Sequence, residues 1–188
     1  MSGKLVIISA PSGAGKTTIV NHLLEKGTNL RFSVSATTRN PRGNEENGKE
    51  YFFLTVGDFK AKIKNGEFIE WQEVYKDQFY GTLKSEIEKT WAEKKHVVFD
   101  VDVQGGINLK NIYGKRAISI FLMPPSVKEL ENRLLGRATD DSSRIRIRID
   151  KAMEEIKLAA KFDYTVINDN LDLTKREVFN LVKSFIDE

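Results

Sequence analysis

Leu5-Val-Ile-Ile-Ser-Ala-Pro-Ser-Gly-Ala-Gly-Lys-Thr17 decides how this chain is read. An apolar, mostly β-branched run forms a strand and then breaks into a glycine-rich turn ending in Gly15-Lys16-Thr17. Small residues at Ala10, Gly13, Ala14 and Gly15 let the backbone bend around an anion with its N–H groups inward. Lys16 adds a compact positive charge for outer phosphates, and Thr17 offers a hydroxyl to a divalent cation. Beyond them Ile19, Leu23 and Leu24 fall on one helical face, so the loop opens a helix whose positive end points at the same phosphates. Ala10 stands where such loops usually begin with glycine, but Gly13 and Gly15 remain to make the sharp turn. The plain alternative, a glycine-rich turn with a solvated lysine, has no need of strand before and helix after.

The rest of the composition narrows the class. A chain of 188 residues can bury the core of one full α/β domain with a small insertion. Thirty Lys and Arg against 27 Asp and Glu give a net charge of +3, which suits small anionic ligands and is too slight for a nucleic-acid surface. The absence of cysteine removes disulfides, thiolate catalysis and cysteine-ligated zinc, and the two histidines, His22 and His96, read as structural. Leu5 to Ile8 is too short for a signal peptide or membrane span, so a soluble, cytoplasmic protein is expected.

Along the chain, Arg31 to Ser35 alternates like a strand, and residues 36–49 are polar, Gly/Asn-rich and carry Arg39 and Arg42. Tyr51 to Leu54 resumes strand character; Thr55 and Asp58 start a helix with Phe59 and Ile63 on one face, which Gly66 stops. In the strand-like run Phe68 to Val74, alternation puts Phe68, Glu70 and Gln72 on one face. Residues 75–82 read as a loop, and Leu83, Ile87 and Trp91 mark a helix. His96 to Val101 is an apolar strand ending in Asp100-Val-Asp102, where a phosphate-loop enzyme needs an acidic residue for its metal shell.

Ala117 to Leu122 is a third buried strand. Ser126 and Glu129 cap the next helix, with Leu130, Leu134 and Leu135 as its apolar face and Gly136 as its end. An arginine-crowded stretch, residues 137–148, leads into a helix to about Lys161. Tyr164 to Ile167 is the last strand, and Thr174 with Glu177 caps a final helix carrying Val178 and Val182. Alternating strands and helices predict an α/β fold, a parallel sheet flanked by helices, with ligands at the carboxyl ends of its strands. The predicted organisation is a P-loop NTPase-type core at 1–35 and 90–188, an α+β insertion at 36–89 and a short Arg-rich lid at about 136–149.

The order of motifs resembles the guanylate kinase family of nucleoside monophosphate kinases almost end to end. The matching segments are Ser12-Gly-Ala-Gly-Lys-Thr17, Ser33-Val-Ser-Ala-Thr-Thr-Arg-x-Pro-Arg42, Asn47-Gly-x-x-Tyr-x-Phe53, Phe68-Ile-Glu-Trp71, Tyr80-Gly-Thr82, Asp100-Val-Asp-Val-Gln-Gly105, Pro124-Pro-Ser126, Leu134-x-Gly-Arg137 and Val166-Ile-Asn-Asp169. The resemblance implies transfer of phosphate from ATP to GMP, with dGMP as a further acceptor and Mg²⁺ as cofactor. It puts ATP on Ser12, Gly13, Ala14, Gly15, Lys16, Thr17, Thr18, Arg137 and Asn168, and the metal on Thr17 and, through water, Asp100. Ser35, Glu70, Thr82 and Asp102 are implied for the guanine base. Arg39, Arg42, Tyr51 and Tyr80 are implied for the GMP phosphate, in the 36–89 insertion. Lys16, Arg39, Arg137 and Arg148 would be the catalytic cations.

The chemistry of these residue types agrees with that assignment. Guanine presents N1–H and N2–H₂ as adjacent donors to a carboxylate such as Glu70, whereas adenine turns a lone pair toward it. Arginine forks suit a dianionic phosphate. Arg133, Arg144 and Arg146 carry a weaker signal, the last two reading as solvated charges. Across an empty cleft, Arg39, Arg42, Arg137 and Arg148 are expected to repel one another and gain partners only when phosphates arrive. Two rival readings remain open on the sequence. A P-loop kinase of another small substrate would keep Lys16 and Asp100 without the base set, and a non-catalytic guanylate-kinase-like module binding phosphopeptides would lack a working loop.

Overall fold

The computed structural model describes residues 3–135 and 142–188. Strand β1 (Leu5–Ser9) is the centre of a five-stranded parallel sheet, ordered β2 (Leu30–Phe32), β7 (His96–Val101), β1, β8 (Ala117–Met123), β9 (Tyr164–Ile167). Every residue of β1 is buried, as a strand covered on both faces must be. Its alternation divides the core in two. Val6 and Ile8 meet Ile19, Val20 and Leu23 of α1 (Lys16–Glu25) and Val178 and Val182 of α7 (Leu171–Asp187). Leu5 and Ile7 face the opposite layer with Leu109 of α4 (Val103–Tyr113) and Ile87 of α3 (Lys84–Ala92). The sequence pattern extends the insertion to residue 89, yet Ile87 packs α3 on the central sheet.

A second, four-stranded sheet is ordered β4 (Tyr51–Phe53), β3 (Ser35–Thr37), β6 (Gln78–Leu83), β5 (Phe68–Tyr75). Its own small core stacks Phe59 of α2 (Val56–Lys64) on Phe68, ring centroids 4.3 Å apart, and on Phe79 at 5.4 Å. Two expectations fail here. The segment Arg31 to Ser35 is not one strand: β2 closes on the central sheet with Ser33 N–H donating to the Val98 carbonyl, and the chain then crosses to begin β3 in the other sheet. Residues 75–82 are not a loop but mostly strand β6, joined to β5 by Lys76-Asp77, where Asp77 takes a φ of 59°. The expected glycine or asparagine of such a turn is missing from the sequence, and an aspartate supplies the left-handed residue.

Helix caps are legible with one exception. Thr55 Oγ accepts from Asp58 N–H at 3.1 Å and Ser126 Oγ from Glu129 N–H at 3.0 Å. Helix α7 begins before the predicted cap: Asn170 Oδ1 accepts from Asp172 and Leu173 N–H, while Thr174 is buried one turn inside and donates to the Asn170 carbonyl. In α5 (Val127–Leu135) Leu130 is buried, but Leu135 is 55% exposed rather than part of the apolar face. Helix α6 (Ser142–Lys157) is followed by a short 3₁₀ turn, Ala159–Lys161. No helix among the described residues is long and apolar enough to cross a membrane.

Candidate functional site

The carboxyl ends of the parallel strands and the second sheet face each other across one cleft. Its walls include Ser12, Lys16 and Asp100 on the core side and Ser35, Arg42, Tyr51, Glu70 and Tyr80 on the insertion side. Asp102, Gly105 and α6, with Arg148, Lys151 and Glu155, complete the enclosure.

On the core side the turn is made by Gly13 and Gly15, with φ of 93° and 95°, values that only glycine adopts without strain. Gly15 caps α1 without any side-chain bond, so the first amides of the helix remain available to an anion. Thr17 and Thr18 are exposed, while Ala14 packs its methyl into the core and offers only backbone. Lys16 Nζ donates to the Ala10 carbonyl at 2.8 Å, folded across its own loop. Thr17 Oγ donates to Asp100 Oδ2 at 3.0 Å, which joins a hydroxyl and a carboxylate from distant segments into one oxygen-donor pair.

Asn168, expected on the adenine side, is already bonded within the protein. It is 4% exposed, and its Nδ2 donates to the Ala14 carbonyl at 2.7 Å. A Cβ on Gly15 would lie 2.6 Å from that same Nδ2. The amide therefore braces the loop from behind, and Arg133 in turn donates to the Asn168 carbonyl at 3.3 Å. That contact gives Arg133 a place at the loop which spacing alone did not reveal.

On the insertion side, the register of β5 against β6 sets Glu70 opposite Thr82, whose hydroxyl donates to Glu70 Oε1 at 2.7 Å. Glu70 is 8% exposed, and burial together with neighbouring Asp102 pushes its carboxyl up to about 7, although the Thr82 bonds work the other way. Ser35 is buried in β3 on the same wall. Asp102 caps α4, accepting from Gly105 N–H at 2.7 Å. Tyr51 and Tyr80 meet edge to face at 6.0 Å, and burial raises the Tyr51 hydroxyl to about 12, so it stays a donor at neutral pH.

Of the four arginines expected to gain partners only when phosphates arrive, Arg39 already has one. Arg39 is 8% exposed, lies 4.8 Å from the centre of the Tyr51 ring and holds Glu45 in a two-pronged ion pair at 2.6 and 2.7 Å. Burial opposes its charge, but the Glu45 bond and charge hold it above its ordinary value. Glu45 also accepts from the Arg42 backbone N–H at 2.7 Å, so one carboxylate organises both arginines. Of the two, Arg42 reaches the wall of the cleft. Arg137 lies outside the described residues, as does the first part of the segment read as a lid, while its second part is the start of α6.

Three residues of the site escaped the sequence reading. Glu45 was hidden in a polar stretch with nothing to distinguish it from solvated neighbours. Lys151 and Glu155 follow Arg148 at helical spacing, a signal that could have been used. Burial raises the Glu155 carboxyl, with Lys151 and Lys16 opposing and Asp102 reinforcing, and Lys151 Nζ lies 4.8 Å from the centre of the Tyr75 ring.

Comparison with known proteins accords with this geometry. The model of the family "Guanylate kinase" matches residues 2–185. A guanylate kinase of Bacteroides thetaiotaomicron is 52% identical over 188 residues, covering 100% of this chain and 92% of that protein. One of Porphyromonas gingivalis is 49% identical, covering 97% and 98%. The crystal structure of guanylate kinase from Anaplasma phagocytophilum superposes with a TM-score of 0.80 at 30% identity, over 100% of this chain and 88% of that one. A shikimate kinase of Bacteroides thetaiotaomicron, at 13% identity and a TM-score of 0.53, shares the fold alone. With a family model matched over nearly its whole length and relatives identical at about half of all positions, the chain belongs to the guanylate kinase family.

Proposed function

We propose that this cleft performs the family's reaction, ATP-dependent phosphorylation of GMP to GDP, with the roles divided between its two walls. The observation that carries the division is the pairing of a phosphate loop on one wall with a buried carboxylate, Glu70, on the other. An oxygen of the GMP phosphate attacks the γ-phosphorus of ATP, the bond to the β–γ bridging oxygen breaks, and ADP leaves with that electron pair. The attacking phosphate is already anionic, so the protein needs no strong base. It has to hold two polyanions in line and offset charge on the transferred oxygens.

Lys16 swings from the Ala10 carbonyl to the outer phosphates of ATP, and the amides from Ser12 to Thr18 receive the rest. Arg148 approaches the triphosphate from α6, and Arg137 supplies a further cation to it. Arg42, Arg39, Tyr51 and Tyr80 hold the acceptor phosphate, and Ser35, Glu70, Thr82 and Asp102 read the base. The domain division that follows sets residues 36–83 apart as the acceptor unit, with α3 belonging to the core. ATP-using kinases of this kind need a divalent cation. Thr17 and Asp100 fit Mg²⁺, which prefers hard oxygen donors and few protein ligands, and when bound the ion neutralises phosphate charge.

The test is ADP release measured with GMP, AMP, UMP and CMP in parallel, for the native chain and Glu70→Gln. GMP should be used at least about 100-fold more efficiently than AMP, a ratio that Glu70→Gln narrows. Comparable rates on AMP, or an unchanged ratio in the variant, would remove Glu70 from the base site. Omitting Mg²⁺ in the presence of a chelator should abolish turnover.

A further inference from the structure

Gly105 occupies a position where helical geometry does not call for glycine. It lies in the first turn of α4 with ordinary backbone angles, and alanine is the better helix former there. What excludes a side chain is the cleft. A Cβ on Gly105 would stand 3.0 Å from Asp102 Oδ1 and 3.0 Å from Glu70 Oε2, tighter than ordinary van der Waals contact. Both carboxylates are already engaged, so they can make room only by shifting against their bonds: Asp102 Oδ1 holds the Gly105 N–H at 2.7 Å, and Glu70, almost wholly buried, holds the Thr82 hydroxyl at 2.7 Å. Glu70 comes from the insertion sheet and Asp102 from the end of the central one, so the bare α-carbon of Gly105 marks where the two halves meet.

We propose that Gly105 is a specificity-determining position, whose missing side chain lets Glu70 and Asp102 converge on one edge of the acceptor base. This rests on the reading of Glu70 as the guanine-binding carboxylate. Guanine offers N1–H and N2–H₂ as neighbouring donors, and two carboxylates that close can share them. An added methyl displaces the acceptors by a few tenths of an ångström, enough to lengthen short charge-assisted bonds. The neighbouring Gly106 is bare for a different reason, since its Cβ would meet the Phe162 ring at 3.1 Å and Ile7 at 3.3 Å, both in the core.

The experiment compares Gly105→Ala with Gly106→Ala and the native chain, using GMP and inosine monophosphate, which lacks the 2-amino group, as acceptors. Gly105→Ala should raise KM for GMP by about tenfold, leave kcat within about threefold and KM for ATP unchanged, and cut the GMP-to-inosine-monophosphate ratio of kcat/KM by about fivefold. Its Tm should stay within about 3 °C, because the better helix propensity of alanine offsets the displaced bonds. Gly106→Ala should lower Tm and leave that ratio alone. The ratio does not depend on the fraction of active protein, so partial misfolding cannot imitate the result. An unchanged ratio in Gly105→Ala, or a variant that no longer folds, overturns the proposal. If Glu70→Gln shifts acceptor preference and Gly105→Ala does not, only the role of Gly105 fails; if neither does, the guanine assignment of Glu70 has failed with it.

Discussion

The phosphate loop and the insertion sheet look at each other across one cleft but present their chemistry by different means. From Ala10 to Thr17 the groups offered to an anion come from consecutive residues, largely backbone N–H, and their geometry is set by two positive-φ glycines and the start of α1. The insertion wall offers side chains from separate segments: Ser35 on β3, Arg42 in the polar stretch, Tyr51 on β4, Glu70 on β5 and Tyr80 on β6. A backbone site tolerates most changes of side chain, whereas a side-chain site depends on the bonds that orient each member. Thus Glu45 behind Arg39 and Thr82 beside Glu70 matter on one wall as Asn168 behind Ala14 does on the other.

The largest effect should come from the one loop side chain that bears charge on the core wall. Lys16→Ala should lower kcat by about 10³-fold with Tm unchanged within about 2 °C, because the lysine contributes charge to the transition state and nothing to the core. Steady-state rates and thermal melts check both halves, and near-normal turnover would take the loop out of the chemistry. Next in size is Glu45→Ala. Removing one partner leaves Arg39 buried with an uncompensated charge, so stability should fall by about 2 kcal/mol and KM for GMP should rise by about 100-fold, while KM for ATP stays put. Denaturant unfolding and the two KM values decide it; a rise in both KM values alike would mean that the walls are not independent.

Asn168→Ala should do the reverse, and more gently. Loss of the bond to the Ala14 carbonyl loosens the loop, raising KM for ATP by about tenfold, in line with about 1–2 kcal/mol for a buried hydrogen bond, with KM for GMP unmoved. If KM for GMP shifts instead, the brace belongs to the other wall.

The smallest effect is a matter of pH. Glu70 in the empty protein titrates at about 7, and guanine donors favour its ionised form, so KM for GMP should drop about fivefold from pH 6 to pH 8. The GMP phosphate itself titrates near ~6. That inflection should persist in Glu70→Gln, while the one near 7 disappears. The raised carboxyl also acts on stability. Between the ordinary value of 4.5 and about 7 the folded chain keeps a proton that the unfolded chain has released, so stability declines as pH rises through that window and is level above it. Glu70→Gln should flatten the decline in urea titrations at pH 5 and pH 8.

Much of this molecule could be read before its fold was known, and the division follows physical range. Strands β1, β7 and β8, the loop, α1 and two helix caps are products of local periodicity and local hydrogen bonding, and Leu5 to Thr17 alone determined that a glycine turn leads from the end of a buried strand into a helix N-terminus. The set proposed for guanine could be named only because its motifs resemble a family, since no spacing brings Ser35, Glu70, Thr82 and Asp102 together. Tertiary structure decided what depends on a partner far along the chain. It broke the run from Arg31 to Ser35 between two sheets: β2 pairs with β7 as far as Phe32, and Ser35 already pairs with Tyr51 in the other sheet. It made β6 from a stretch without turn glycine, because β3 and β5 supplied ladders on both sides. It also turned Asn168 inward to the loop and gave Arg39 a carboxylate before any phosphate arrives, since buried polar groups take the nearest partner that the fold provides.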